Sequence, residues 1–113
     1  MNNIIQTLKA LADGTRFRII DLLLTQNLCV GALATRLNIS AAAVSQHLRI
    51  LRKAGLVRGE KRGYWTHYSI DRALLHQVAE ALMEKADLAP DLKMFPLSFH
   101  EADHTCLTKE ENR

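Results

Sequence analysis

Apolar residues recur at intervals of three and four along most of the chain, which is the spacing of one face of an α-helix. This pattern predicts five helices, over residues 3–11, 16–25, 31–37, 41–53 and 72–86. Between the fourth and the fifth helix, residues 56–61 and 64–70 alternate and predict two β-strands joined at Arg62-Gly63. The expected fold is therefore mainly α with a small β-hairpin, in the order α1-α2-α3-α4-β1-β2-α5.

Residues that favour helix ends stand at the predicted boundaries. Ser40 is a natural N-cap for the fourth helix, because its hydroxyl can accept a backbone N–H that lacks a partner within the helix. Asn38 fits the end of the third helix, since Asn tolerates the left-handed conformation, and Gly55 ends the fourth. Thr15 and Asp71 are expected to cap the second and the fifth helix.

The fourth helix has an apolar side and a polar side. Val44, Leu48 and Leu51 follow one another at spacings of four and three and predict the buried stripe. The opposite side carries small residues that allow close approach, uncharged polar groups that can read base edges, and cations that can bind phosphates. These candidate DNA-binding residues are Ser40, Ala42, Ser45, Gln46, Arg49, Arg52 and Lys53, with His47 near the boundary between the two sides.

Different side chains of this polar side suit different parts of the DNA. Gln46 pairs well with adenine, and Ser45 is permissive toward several bases. Arg49 is a candidate for either a guanine or a phosphate. Arg52 and Lys53 are expected to bind phosphates, which position a protein without specifying a sequence.

Positive charge is concentrated from the fourth helix into the hairpin. Residues 49–62 hold six basic residues against the single acidic Glu60, whereas the whole chain carries a net charge of only +3. Such a segregated patch is an electrostatic footprint for phosphate groups. The hairpin contributes Arg58, Lys61 and Arg62, toward a tip that suits the DNA backbone or the minor groove.

A helix that starts at a cap after a tight turn, ends at a glycine and leads into a cationic hairpin is typical of a winged helix-turn-helix domain. Such domains dock one helix into the major groove of duplex DNA. The 113 residues suffice for one small domain. We expect that domain, for DNA binding and dimerisation, over residues 1–88, with 89–113 as a C-terminal tail.

Other classes of protein are disfavoured. The sequence has no run of 18 apolar residues and no basic-then-apolar leader, so we expect neither a membrane span nor a secretion signal. Two cysteines are too few for a disulfide framework, which favours a reducing, cytoplasmic location. The five glycines form neither a phosphate-binding loop nor a nucleophile elbow, so an enzyme is not expected.

Three segments, 28–33, 40–57 and 62–69, carry motifs that resemble the ArsR/SmtB family of bacterial and archaeal transcriptional repressors. The most specific motif is Ser45-Gln46-His47-Leu48 in the fourth helix, and the resemblance covers residues 4–83. It implies a homodimeric repressor that binds an operator near its own promoter and releases it when an inducer binds. It also implies that the first and last helices build the dimer interface.

The apolar pattern of the last helix favours a dimer independently of the family resemblance. Its apolar stripe consists of Leu75, Val78, Ala79 and Leu82, widened by Leu74 and Ala81. So broad an apolar surface exceeds what one small core needs. Two-fold symmetry would then place two recognition helices about one DNA turn apart, on a pseudo-palindrome.

Many members of the family sense metal ions, and this sequence departs from their patterns. Cys29 matches one half of a two-thiol pattern at the third helix, but Gly31 stands at the second position. A pattern along the last helix has Ala73 where it requires a histidine. The last helix still carries three residues of metal-ligating type on one face, namely His76, Glu80 and Glu84.

The tail is rich in metal-ligating residue types. A mixed thiolate and imidazole set of Cys29, His100, His104 and Cys106 would suit zinc, nickel, cobalt or copper as the inducer. A thiol switch that pairs Cys29 with Cys106 is an alternative. A constitutive DNA-binding protein without an inducer is the third interpretation.

Overall fold

The computed structural model describes residues 3–90 and has the predicted mainly α fold with a small β-hairpin. The helices are α1 (Ile4–Leu11), α2 (Gly14–Thr25), α3 (Val30–Leu37), α4 (Ala41–Lys53) and α5 (Arg72–Ala86), and the strands are β1 (Val57–Arg62) and β2 (Trp65–Ile70). Residues Met1–Met83 group into one compact unit, and a second unit begins at Glu84. The expected boundary between domain and tail after residue 88 stays a prediction. None of the helices in the described range is both long and apolar enough to cross a bilayer.

Helix α2 begins two residues earlier than its apolar pattern predicts. Its N-cap is Asp13 and not the predicted Thr15, and Asp13 Oδ2 accepts a hydrogen bond from the backbone N–H of Arg16 at 3.0 Å. A carboxylate in this position satisfies a free backbone donor and also brings negative charge to the positive end of the helix dipole. Gly14 is therefore the first residue of the helix.

Three other helix starts lie within one residue of the prediction. Asn3 precedes α1 as its N-cap, and its Oδ1 accepts the backbone N–H of Ile5 at 2.9 Å. Helix α3 starts at Val30, after Cys29, which makes no capping hydrogen bond with its side chain. Asp71 Oδ1 accepts a backbone N–H in the first turn of α5 at 3.0 Å, as predicted.

The predicted limits of α4 are confirmed. Ser40 Oγ accepts the backbone N–H of Ala43 at 3.0 Å and so satisfies one of the free donors at the start of the helix. Before it, Asn38 ends α3 in the left-handed conformation with φ 57°. After it, Gly55 turns the chain with φ 82°, a conformation that costs glycine little.

Strands β1 and β2 pair antiparallel along their whole length. The turn between them consists of Gly63 and Tyr64, one residue later than predicted, because Arg62 is still the last residue of β1. Gly63 takes φ +67°. Two-residue hairpin turns use a positive φ at their first position, so the glycine determines where the turn starts.

The hairpin is also tied to the segment before α3. The backbone N–H of Tyr68 in β2 donates to the carbonyl oxygen of Leu28 at 2.9 Å, which forms an isolated antiparallel bridge. The Tyr68 side chain is half-buried against the core. The base of the hairpin is therefore held from both edges of β2.

The core forms where α2, α3, α4 and the base of the hairpin meet. Val44, Leu48 and Leu51 are between 0% and 2% exposed, which confirms the buried stripe predicted for α4. They belong to one cluster with apolar side chains of the other elements, namely Ile19, Ile20, Leu23, Leu33, Leu37, Leu56, Val57 and Ile70. Because this apolar seam determines the rotation of α4, the polar side of the helix points away from the core.

Large apolar side chains stay exposed on α2 and α5. Phe17 of α2 is 54% exposed and lies about 110° around the helix from the centre of its buried face. Helix α5 buries Leu74 and Val78, whereas Leu82 and Met83 are 44% and 62% exposed. The last two turns of α5 thus present apolar surface that residues 3–90 leave uncovered.

Candidate nucleic-acid interface

The residues predicted to read bases lie on the outer side of α4. Ser45, Gln46 and Arg49 are exposed, on the side of the helix opposite the apolar seam. The helix is anchored by that seam, so these three side chains project from a rigid element. Their donors and acceptors are available to base edges in a groove wide enough for a helix.

The first turn of α4 is slender. Ser40 and Ala42 are exposed, and Ala41 and Ala43 add no side-chain atoms beyond Cβ. The Ser40 hydroxyl is engaged in capping. A slender helix start lets the backbone approach the DNA closely, and the positive end of the helix dipole favours a phosphate nearby.

The remaining cationic candidates are all exposed, and they are Arg52, Lys53, Arg58, Lys61 and Arg62. Arg62 Nη2 lies 3.4 Å from Glu60 Oε1, and both side chains are more than half exposed. An ion pair so open to solvent contributes little to stability, so the guanidinium can exchange its partner for a phosphate at small cost.

The hairpin tip combines cations with aromatic side chains. Tyr64 is 96% exposed and Trp65 is 63% exposed, and Trp65 stands opposite Arg62 in the strand register. Both aromatic side chains are thus available to a partner at the tip. Aromatic side chains beside cations suit contact with the sugars and bases of nucleic acids.

His47 differs from the other candidates, because its half-buried side chain contacts α2. Its Nδ1 lies 3.4 Å from Nη1 of Arg16 and 3.9 Å from Oδ2 of Asp13. Arg16 also donates to the carbonyl oxygens of Ala10 and Lys9, at 2.6 and 3.3 Å. Sequence reasoning placed His47 near the boundary of the polar side but missed this cluster.

The electrostatics of the cluster centre on Asp13. The pKa of its carboxyl is lowered from the usual value, mainly because the carboxylate accepts the backbone N–H of Arg16. The positive charge of Arg16 lowers it further. Asp13 is therefore ionised at neutral pH. The feature of the sequence that could have indicated this cluster is Asp13 itself, a residue type that caps helices, three positions before Arg16.

The described residues do not fit a metal ion by themselves. Cys29 is half-buried at the start of α3, and the other predicted ligands, His100, His104 and Cys106, lie outside the described residues. Within residues 3–90, no three His, Cys, Asp or Glu side chains come close enough to hold an ion. The face of α5 that carries His76, Glu80 and Glu84 spans about 12 Å along the helix, which is too long for one ion.

Comparisons with known proteins agree on one family. Residues 13–58 match the family described as bacterial regulatory protein, arsR family. The transcriptional repressor SdpR of Bacillus subtilis is 36% identical over 75 residues, which cover 66% of this chain and 80% of that protein. The arsenical resistance operon repressor of Escherichia coli is 46% identical over 68 residues, covering 58% of this chain and 57% of its own length. The transcriptional activator HlyU of Vibrio cholerae is 39% identical over 75 residues, covering 66% and 69%.

Solved structures show the same architecture. The crystal structure of a possible transcriptional regulator for arsenical resistance has a TM-score of 0.65 and 36% identity, over 74% of this chain and 86% of that one. The solution structure of a homodimeric winged helix-turn-helix DNA-binding domain from Mycobacterium bovis has a TM-score of 0.63 and 27% identity, over 77% and 82%.

The fold, the outward polar side of α4 and the cationic hairpin define a class, the winged helix-turn-helix DNA-binding transcription regulators, which are not enzymes. Within that class, the chain belongs to the ArsR/SmtB family. The resemblance inferred from the motifs between residues 28 and 69 is thereby confirmed.

Proposed function

We propose that the chain is a homodimeric transcriptional repressor that binds a pseudo-palindromic operator and leaves it when an inducer binds. The observation that carries this proposal is the exposed Ser45–Gln46 side of α4, held by an apolar seam on its other side and flanked by a cationic hairpin. Two such helices in a two-fold dimer would enter successive major grooves on one side of the duplex.

Each part of the interface has its own role. Ser45 and Gln46 read base edges in the major groove, and Arg49 binds a guanine or a phosphate. Ser40 and Ala42 allow the start of α4 to come close to the DNA. The other exposed cations bind phosphates and position the dimer, namely Arg52, Lys53, Arg58, Lys61 and Arg62.

Repression is the favoured outcome of operator binding. SdpR and the Escherichia coli relative are named as repressors, whereas HlyU is named as an activator. A dimer bound across a promoter in the cytoplasm would exclude the polymerase. Transcription in vitro from a promoter that carries a duplex selected by the protein tests the direction. The transcript should decrease as protein is added, and an increase would identify an activator.

The dimer interface is proposed to consist of α1 and α5. Leu82→Asp is expected to weaken dimerisation about a hundredfold or more, because Leu82 belongs to the uncovered apolar surface and an unpaired charge in an apolar interface costs several kcal/mol. Sedimentation equilibrium measures the change. Gln77→Asp introduces the same side chain on the opposite side of α5 and should leave the dimer intact. If both variants dimerise as the wild type does, another surface forms the interface.

The hairpin cations are proposed to bind phosphates. Arg62→Gln is expected to weaken binding to every duplex alike and to reduce the slope of log affinity against log salt by about one for each phosphate that is no longer neutralised. Arg18→Gln removes the same charge from an exposed position of α2 outside the candidate interface and should leave the slope unchanged. A change confined to certain base sequences would instead assign Arg62 to base readout.

The inducer is proposed to be a transition-metal ion, zinc, nickel, cobalt or copper, bound by Cys29 together with His100, His104 and Cys106. The support is the chemistry of this donor set, because thiolate and imidazole ligands suit these ions. The coupling required between inducer and operator is modest, about 1–3 kcal/mol.

Elemental analysis of the purified dimer and a gel-shift titration with each metal and with peroxide test this sensor. We expect a metal to release DNA from the wild type but not from Cys106→Ser, whose DNA affinity without metal should be unchanged. Release by peroxide that requires both cysteines would favour the thiol switch. No response to any of them would favour a constitutive DNA-binding protein.

A further inference from the structure

Arg16 connects three helices. Its Nε and Nη2 donate to the carbonyl oxygens of Ala10 and Lys9, which are among the last carbonyls of α1. The Lys9 carbonyl also accepts the backbone N–H of Ala12 at 3.2 Å. Its backbone N–H donates to the Asp13 carboxylate that caps α2. Its Nη1 lies 3.4 Å from Nδ1 of His47 in α4.

The contact between Arg16 and His47 is a hydrogen bond in only one tautomer of the ring. A guanidinium group only donates hydrogen bonds, so Nδ1 can accept from Arg16 when the neutral imidazole holds its proton on Nε2. A protonated ring would turn a second N–H toward the cation. The Asp13 carboxylate could accept such an N–H, but at 3.9 Å it lies beyond hydrogen-bond distance.

The apolar seam determines which side of α4 faces the core, but it does not determine the exact position of the helix. Apolar packing is not directional, so it holds the helix against the core but tolerates small rotations and shifts along the seam. A hydrogen bond weakens steeply with angle and distance, so it can define the position of the helix more narrowly. His47 directly follows Gln46, and a shift at the ring is therefore a shift at the reading residues.

We propose that Arg16 and His47 are positioning residues for operator recognition: their hydrogen bond places α4 so that Ser45 and Gln46 meet the base edges. This inference rests on the proposed function and deepens it. In this proposal His47 contacts Arg16 and does not contact the DNA, because its side chain is only 24% exposed and turned toward α2. Arg16 then acts on recognition from the junction of α1 and α2.

Two substitutions of His47 test whether the position of the hydrogen-bond acceptor matters or whether any acceptor on this side chain suffices. In His47→Asn, the amide oxygen takes the place of Nδ1 and can still accept from Arg16. In His47→Gln, the same amide stands one bond farther out and loses that geometry. The two variants therefore carry the same amide group and differ only in the length of the side chain that holds it.

The assay compares binding to a duplex that the wild type enriches from a random pool with binding to random duplex. His47→Asn should keep the wild-type preference within about twofold. His47→Gln should lose about tenfold, because the weak hydrogen bond is lost twice in a dimer, once in each protomer. Both variants should bind random duplex as the wild type does and should melt within a few degrees of it, which a merely structural defect would not allow.

Equal losses in both variants would mean that the ring itself contacts DNA, and no loss in either would mean that α4 is positioned without it. Each of these outcomes overturns the inference. The nitrogen-15 shifts of the His47 ring in the free protein, at about pH 8 and assigned by their loss in His47→Asn, supply an independent measurement. Nδ1 should be unprotonated, and a protonated Nδ1 contradicts the contact. If the wild type enriches no duplex, the proposed function fails, whereas the ring measurement still decides whether Arg16 holds His47.

Discussion

Gln46→Ala, present in both protomers, is expected to reduce the preference for the selected operator over random duplex by about thirtyfold or more. A glutamine amide can pair with adenine through a donor and an acceptor at once, each such pair contributes about 1–3 kcal/mol of discrimination, and a dimer presents two. Alanine offers neither group. Gln46 is exposed and lies off the apolar seam, so folding should be unaffected. A gel-shift competition with duplexes substituted at single base pairs, at one salt concentration, measures the change.

Two controls make the result for Gln46 specific. Gln77→Ala removes the same side chain from an exposed position of α5 and should leave operator preference unchanged. Arg62→Gln should weaken binding to operator and random duplex together. If Gln46→Ala lowered both affinities by the same factor, Gln46 would contact the DNA backbone, and base readout would have to come from other residues.

The limits of α4 could be predicted because independent local signals agree there. A serine cap, an apolar period and a terminal glycine all point to the same helix, and each acts within a few residues. At α2 two capping residue types stand close together, and the structure uses Asp13 instead of Thr15. The residue that Asp13 caps is Arg16, whose side chain donates a hydrogen bond to the Ala10 carbonyl oxygen near the end of α1. A local sequence pattern does not contain a contact of this kind between two helices.

The outward side of α4 was predictable for a geometric reason. Once the apolar seam is known, a period of 3.6 residues determines the direction of every other side chain on the helix. The partner of His47 was not predictable in this way, because Arg16 is 31 positions away and periodicity contains no information about pairs so distant. Phe17 shows the same limit, since it is a large apolar residue of α2 and is nevertheless 54% exposed among the described residues.

Leu51→Ala is expected to lower the free energy of unfolding by about 2–5 kcal/mol, a large part of the roughly 5–15 kcal/mol that stabilises a typical domain. Leu51 is 0% exposed at the C-terminal end of the apolar seam, so the smaller side chain leaves a cavity that closely packed neighbours fill only in part. Urea denaturation measures the loss. Wild type and variant must be compared at one protein concentration, because the stability of a dimer depends on it.

The neighbouring Ile50→Ala is the matched control. Ile50 is 42% exposed, and its replacement should cost less than about 1 kcal/mol, since alanine also favours the helix more than isoleucine does. The pair measures the rotation of α4, because a turn by one residue, about 100°, would exchange Ile50 for Leu51 in the seam. A larger cost at Ile50 than at Leu51 would show that α4 is rotated. Gln46 would then lie where His47 lies, turned toward α2 and away from the groove in which we expect it to read the operator, and Ser45 would take the place of Gln46.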